Sequence, residues 1–249
     1  MFKNYLLKTT LYTLSVLAMA CFTSGCDTNR GNVVISEGTI SYAITYPGRL
    51  EGGLLDGVLP KEMKMEFQNF RYVNTISAAG MFESKLITNC KDKTVTFTFN
   101  FGPKKIYAVM SEKTADSLLH EQFKIPTLFD VPGTEMVAGY RCNRTFAVFD
   151  ELEEGPDFEI KFTDDIQIKQ PNWCNQFSDL DAVLLEYELK QYGLRLKLRA
   201  NTIEAGSIQD SSFEIPTGFK LVSIEEMVYQ FEEVWQHSVP SSELRRLVI

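Results

Sequence analysis

"TVTFTFNF", residues 94–101, sets threonine or asparagine against valine or phenylalanine at every second position. Side chains of a β-strand point alternately to its two faces. The octet therefore puts Val95, Phe97, Phe99 and Phe101 on one side and Thr94, Thr96, Thr98 and Asn100 on the other. A strand with one dry and one wet face belongs to an antiparallel sheet that packs on one side. The same alternation returns in Ile40-Tyr42-Ile44-Tyr46, Met63-Met65-Phe67, Phe158-Ile160-Phe162 and Leu194-Leu196-Leu198. Longer segments, Tyr140–Asp150 and Phe158–Ile168, read as strands flanking the acidic turn Glu151–Asp157.

A hairpin is legible residue by residue. With Tyr192-Gly193 as its turn, Leu189 faces Leu196 and Tyr187 faces Leu198 on the dry side. Glu188 then meets Lys197 and Glu186 meets Arg199 on a solvated face, while Lys190 opposite Arg195 is a misfit. Two helices interrupt the strands. Glu112–Gln122 carries Ala115, Leu118 and Leu119 on one side. The second starts at a capping box, Ser223 with Glu226, and bears the stripe Ile224, Met227, Val228, Phe231, Val234 and Trp235.

The expected fold is mainly β with two helices, an α+β protein. Its sheet of roughly ten or eleven antiparallel strands curls into an unclosed barrel around the helices. Two short helices cannot cover a dry face bearing Tyr42, Met65, Phe97, Phe99, Phe101, Tyr107, Phe146, Phe162, Tyr187 and Leu196. These residues, with Phe231 and Trp235 from the second helix, are the expected lining of an apolar cavity. The alternative is an interior filled by its own side chains.

The first 26 residues, MFKNYLLKTTLYTLSVLAMACFTSGC, hold Lys3 and Lys8, an apolar run too short to span a bilayer, and small residues before a cysteine. This reads as a signal peptide over 1–25, a lipidated Cys26 with a polar tether over 26–37, and one β-rich domain over 38–249. Cys21 is a second candidate anchor. The expected location is the cell envelope, anchored by lipid in the outer membrane, with the membrane as partner through that lipid. The chain carries 33 acidic against 25 basic residues, a net charge of −8, which argues against a nucleic-acid partner. The glycine-rich stretch Pro47–Gly57 carries Leu54 and Leu55, a candidate membrane or partner loop beside the alternative of a plain hairpin.

In an oxidising compartment Cys90, Cys142 and Cys174 cannot all pair, and Cys142 with Cys174 is the expected disulfide; three buried thiols are the alternative. The cysteine spacings, with only His120 and His237 to help, match no zinc pattern, and no metal or cofactor is expected. No HExxH, GxSxG, P-loop or GxGxxG occurs, so no enzymatic activity and no catalytic residue is assigned.

Val137-Ala138-Gly139-Tyr140-Arg141-Cys142-Asn143-Arg144, Phe162-Thr163-Asp164-Asp165-Ile166 and Asp210–Phe219 together resemble blocks of an uncharacterised Bacteroides-type envelope lipoprotein family. That family in turn resembles the periplasmic lipoprotein-sorting carriers. The resemblance implies an incomplete antiparallel barrel around helices, with an apolar cavity for acyl chains. The function expected on this ground is a lipid-anchored carrier or sensor that binds a lipid, acyl chain or other apolar ligand. The alternative is a non-enzymatic envelope scaffold with a filled core and envelope proteins as partners.

Overall fold

Among the described residues, alternation translates into a single sheet of twelve strands. A computed structural model describes residues 33–49, 59–78, 80, 82–149, 157–191 and 194–238. The strands are β1 (Glu37–Thr45), β2 (Glu62–Gln68), β3 (Arg71–Ala78), β4 (Phe82–Asn89), β5 (Thr94–Phe101) and β6 (Lys104–Ser111), then β7 (Thr127–Val137), β8 (Tyr140–Val148), β9 (Phe158–Thr163), β10 (Val183–Gln191), β11 (Leu194–Ala205) and β12 (Lys220–Leu221). The helices are α1 (Glu112–Gln122) and α2 (Ile224–Ser238). The fold is the expected one, mainly β with two helices and a curled sheet left unclosed, with twelve strands where the sequence suggested ten or eleven.

The order across the sheet is β12-β6-β5-β4-β3-β2-β1-β11-β10-β9-β8-β7. Two antiparallel meanders, β1 to β6 and β7 to β11, are thus sewn together where β1 pairs with β11. This seam passes a register shift at Ser41/Tyr42 and requires Gly38: a Cβ there would lie 2.3 Å from the carbonyl oxygen of Glu204. The β7–β8 hairpin turns through Ala138 and Gly139, both at positive φ (48° and 84°), the backbone of a tight two-residue turn. The expected β10–β11 register holds in full, including Lys190 opposite Arg195. Two strand ends fall short of expectation. β8 stops at Val148, and β9 stops at Thr163, because Ile166 leaves the ladder to form a parallel bridge with Ile35.

Three pieces cover the sheet. The long connection after β9, residues 164–182, crosses the inner face, where Tyr72 of β3 donates to the carbonyl of Pro171 at 2.7 Å and Phe177 is buried. Helix α2 covers the inner face of β5 and β6, with Met227 fully buried against Phe99 and Ala108. Ser223 caps this helix by accepting from Glu226 N–H at 3.2 Å. The return from β11 to β12 runs over the outer face of β2 and β3, held by Arg71 paired to Asp210 and stacked 4.3 Å from the ring of Phe213.

Candidate functional site

The inner face is built by registers. Cross-strand pairs Phe82↔Phe101, Leu86↔Phe97, Asn74↔Leu86, Met65↔Asn74 and Ile40↔Met65 carry one face continuously from β5 to β1. The seam continues it, with Ile44↔Leu198 and then Tyr187↔Leu198. Tyr42, the largest wholly interior residue of β1, donates its hydroxyl to Leu184 O at 2.9 Å and meets Tyr187 edge-on with centroids 6.2 Å apart. Burial pushes the phenols of Tyr42 and Tyr187 well above their usual range, so both remain neutral hydrogen-bonding groups.

Most of the expected lining is brought together. Tyr42, Met65 and Phe99 are buried on this face, while Phe97, Phe101, Phe162, Tyr187 and Leu196 are half-buried there. Phe231 of α2 packs on Phe97 and Phe99, with centroids 5.9 and 5.1 Å apart. Two members point the other way. Tyr107 is opposite Thr98, on the far side of β5–β6 from Phe97. Phe146 faces Phe129 and Glu159 and is 37% exposed. In both strands apolar residues occupy both parities, so alternation alone does not fix the face. The side chain of Trp235, and Cys21, Cys26, Leu54 and Leu55, lie outside the described residues.

Between the 164–182 connection and α2, the inner faces of β3 and β4 present Asn74, Ile76, Ser84 and Leu86, each only half-buried. Beside them Asn74 Oδ1 is buried with no hydrogen-bond partner, and Thr88 Oγ1 and Trp173 Nε1 are buried close to Tyr72 and Cys90. The expected lining omitted this polar group; threonine and asparagine inside an otherwise dry strand face are its only trace in the sequence.

The expected Cys142–Cys174 disulfide is not formed; both are free thiols, as is Cys90. Cys142 stands opposite Glu135 in the β7–β8 ladder, and burial pushes its thiol up to about 11. Cys174 belongs instead to the other wall, 3.9 Å from the Tyr72 hydroxyl.

The outer face of β7 to β11 is not the solvated surface expected from its charges. Glu186 and Glu188 are 5% and 6% exposed and Lys161 is 8% exposed. Lys161 Nζ lies 2.7 Å from Glu135 and 3.2 Å from Glu186, and Glu186 also takes Lys197 at 2.7 Å and Arg199. Burial alone would raise the Glu186 carboxyl, but hydrogen bonds from Lys197 and Lys161 hold it below its usual range. Arg195, left without an acid directly opposite, reaches Glu188 instead. Each carboxylate here has a cation, so the network ties strands together and offers no free general base. Among the described residues no three His, Cys, Asp or Glu converge as a metal site, and no helix is long and apolar enough to cross a membrane.

These features define an open, curled sheet, antiparallel except where β12 lies parallel to β6, with a partly covered apolar inner face. The same fold occurs in PNGF-II. Its structure in space group P21 matches with a TM-score of 0.51 at 11% identity, over 81% of this chain and 33% of that one. The C2 form matches with a TM-score of 0.50 at 13% identity, over 80% and 33%. The chain thus spans about a third of the length of PNGF-II, and the likeness is one of fold. No protein-family model and no curated protein matches the sequence.

Proposed function

We propose that this is a lipid-anchored cell-envelope protein that holds a lipid, acyl chain or other apolar molecule against the inner face of its sheet. The carrying observation is the stretch of β3 and β4 where Ile76 and Leu86 stay half-buried beside the unpartnered Asn74 Oδ1. An apolar chain would cover the former, and its polar end would satisfy the latter. Burying about ten methylenes there would contribute up to ~8 kcal/mol before the costs of association. The attachment reading rests on the leader and Cys26.

The direct test is a fluorescence titration with the apolar dye N-phenyl-1-naphthylamine, followed by competition with hexadecanol. Saturable one-to-one binding, weakened by Leu86→Trp with thermal stability retained, supports the reading. Absence of saturable binding, together with native mass spectra of gently extracted protein that show only the bare chain, refutes it.

A second reading, an envelope interaction platform, draws support from the free edge strand β7. There Phe129 and Met136 are 54% and 57% exposed, and Phe129 pairs across to Phe146. Under that reading Phe129→Ser reduces recovery of cross-linked envelope proteins and leaves dye binding unchanged.

A further inference from the structure

We infer that Cys90 and Cys174, free thiols in this structure, are placed to join on oxidation in a disulfide that fastens the 164–182 connection to the end of β4. The backbone sets the placement. Cys90 N–H donates to Phe70 O at 2.7 Å, which extends the β3–β4 ladder one step beyond the Arg71↔Asn89 pair. Strand alternation then turns Cys90 to the same side as Thr88, and Thr88 is opposite Tyr72 on the inner face. Tyr72 ties the other wall to this spot, donating to Pro171 O at 2.7 Å with the Cys174 sulfur 3.9 Å from its hydroxyl.

A second set of contacts closes the corner. Lys93 reaches Gln170 at 2.6 Å and lies 5.0 Å from the centre of the Trp173 ring, and both Cys90 and Trp173 belong to the same apolar cluster. Cys90 is 4% exposed. The two thiols also sense one another: burial, then the nearby Cys174, pushes Cys90 up to about 12. A thiol so raised is a poor nucleophile, so the bond forms while the chain folds, before the corner closes.

With a small-molecule disulfide as oxidant the step balances. The thiolate of Cys174 attacks one sulfur of oxidised glutathione and releases one glutathione thiolate. Cys90, as thiolate, then attacks the Cys174 sulfur of the mixed disulfide and expels the second glutathione. The protein loses two protons and two electrons, and the oxidant becomes two thiols. The inference concerns the chain's own thiols and does not depend on the ligand proposal.

The test is refolding of the reduced full chain in a buffer of oxidised and reduced glutathione, then alkylation and non-reducing peptide mapping. The expected result is a Cys90–Cys174 linked peptide as the main disulfide, with Cys142 alkylated. Separate alkylation of Cys90 and Cys174, or pairing of either mainly with Cys142, Cys21 or Cys26, overturns the inference. As a second readout, reductant should lower the melting temperature of the oxidised chain by on the order of 10 °C. Cys142→Ser should keep that drop and Cys90→Ser should abolish it; a drop that survives in Cys90→Ser also overturns the inference. If Cys90→Ser does not fold, the map of the unsubstituted chain decides alone.

Discussion

Glu186→Gln isolates the buried ion network, because a neutral amide of the same shape replaces the carboxylate that joins three strands. The lost contacts are unequal. Lys161 is almost wholly buried, and its bond at 3.2 Å is a charged hydrogen bond away from water, worth about 1.5–3 kcal/mol. Lys197 and Arg199 have side chains 37% and 43% exposed, so water screens them and each adds roughly 0.5 kcal/mol. The expected cost is therefore about 3 kcal/mol. For a domain of this size that is a fall in melting temperature of roughly 6–12 °C.

Lys161→Met loses the bonds to Glu186 and Glu135, yet should cost less, about 1 kcal/mol, because it also removes the desolvation penalty of the buried ammonium. The methionine stem fills the same space, Glu186 keeps Lys197 and Arg199, and Glu135 is left where water reaches it. The pH dependence follows from the depressed carboxyl. Its contribution is whole above the unfolded glutamate value near ~4.3 and disappears as pH falls through the lower folded value. Urea unfolding at pH 7 and at pH 3.5 measures both effects. The gap between wild type and Glu186→Gln should narrow at the lower pH. A cost under ~1 kcal/mol at pH 7, or Lys161→Met costing as much as Glu186→Gln, would refute the reasoning.

Three further outcomes are expected. Gly38→Ala should destabilise by about 1–3 kcal/mol in chemical denaturation, because the new methyl meets backbone at 2.3 Å and that backbone belongs to the seam. Met227→Ala empties a fully buried site under α2 and should cost about 2–5 kcal/mol, with faster amide exchange in α2 than in the β1–β11 seam. Cys26→Ser should move the protein from the membrane to the soluble fraction of fractionated cells; unchanged membrane association would shift the anchor to Cys21 or elsewhere.

Local rules carried far in this chain. TVTFTFNF faces as its alternation requires, α1 has the bounds its stripe suggested, and the β10–β11 register follows from one turn assignment. What failed was long-range. The connection over residues 164–182 has no periodicity, yet it supplies Phe177 and Trp173 to the inner face and so takes part of the covering role assigned to helices. Register shifts at Ser41/Tyr42, Val131/Glu135 and Leu184/Glu186 change which parity points inward, and no residue pattern announces them. The buried charge network was misread for a related reason. The Glu186–Arg199 pair was legible, but Lys197 turns to Glu186 and Glu188 takes Arg195 in its place. Lys161 of β9, also held by Glu135 of β7, reaches Glu186, and burial depends on that convergence.

The seam between the meanders also sets the order in which the molecule can assemble. Ile40 must wait for Ile203, so β1 emerges early from synthesis with a partner that does not yet exist. Until then its inward row of Ile40, Tyr42 and Ile44 lies at an open edge, a state prone to pairing with other chains. A chain spliced this way folds slowly and late, and stays threadable until nearly all of it has been made.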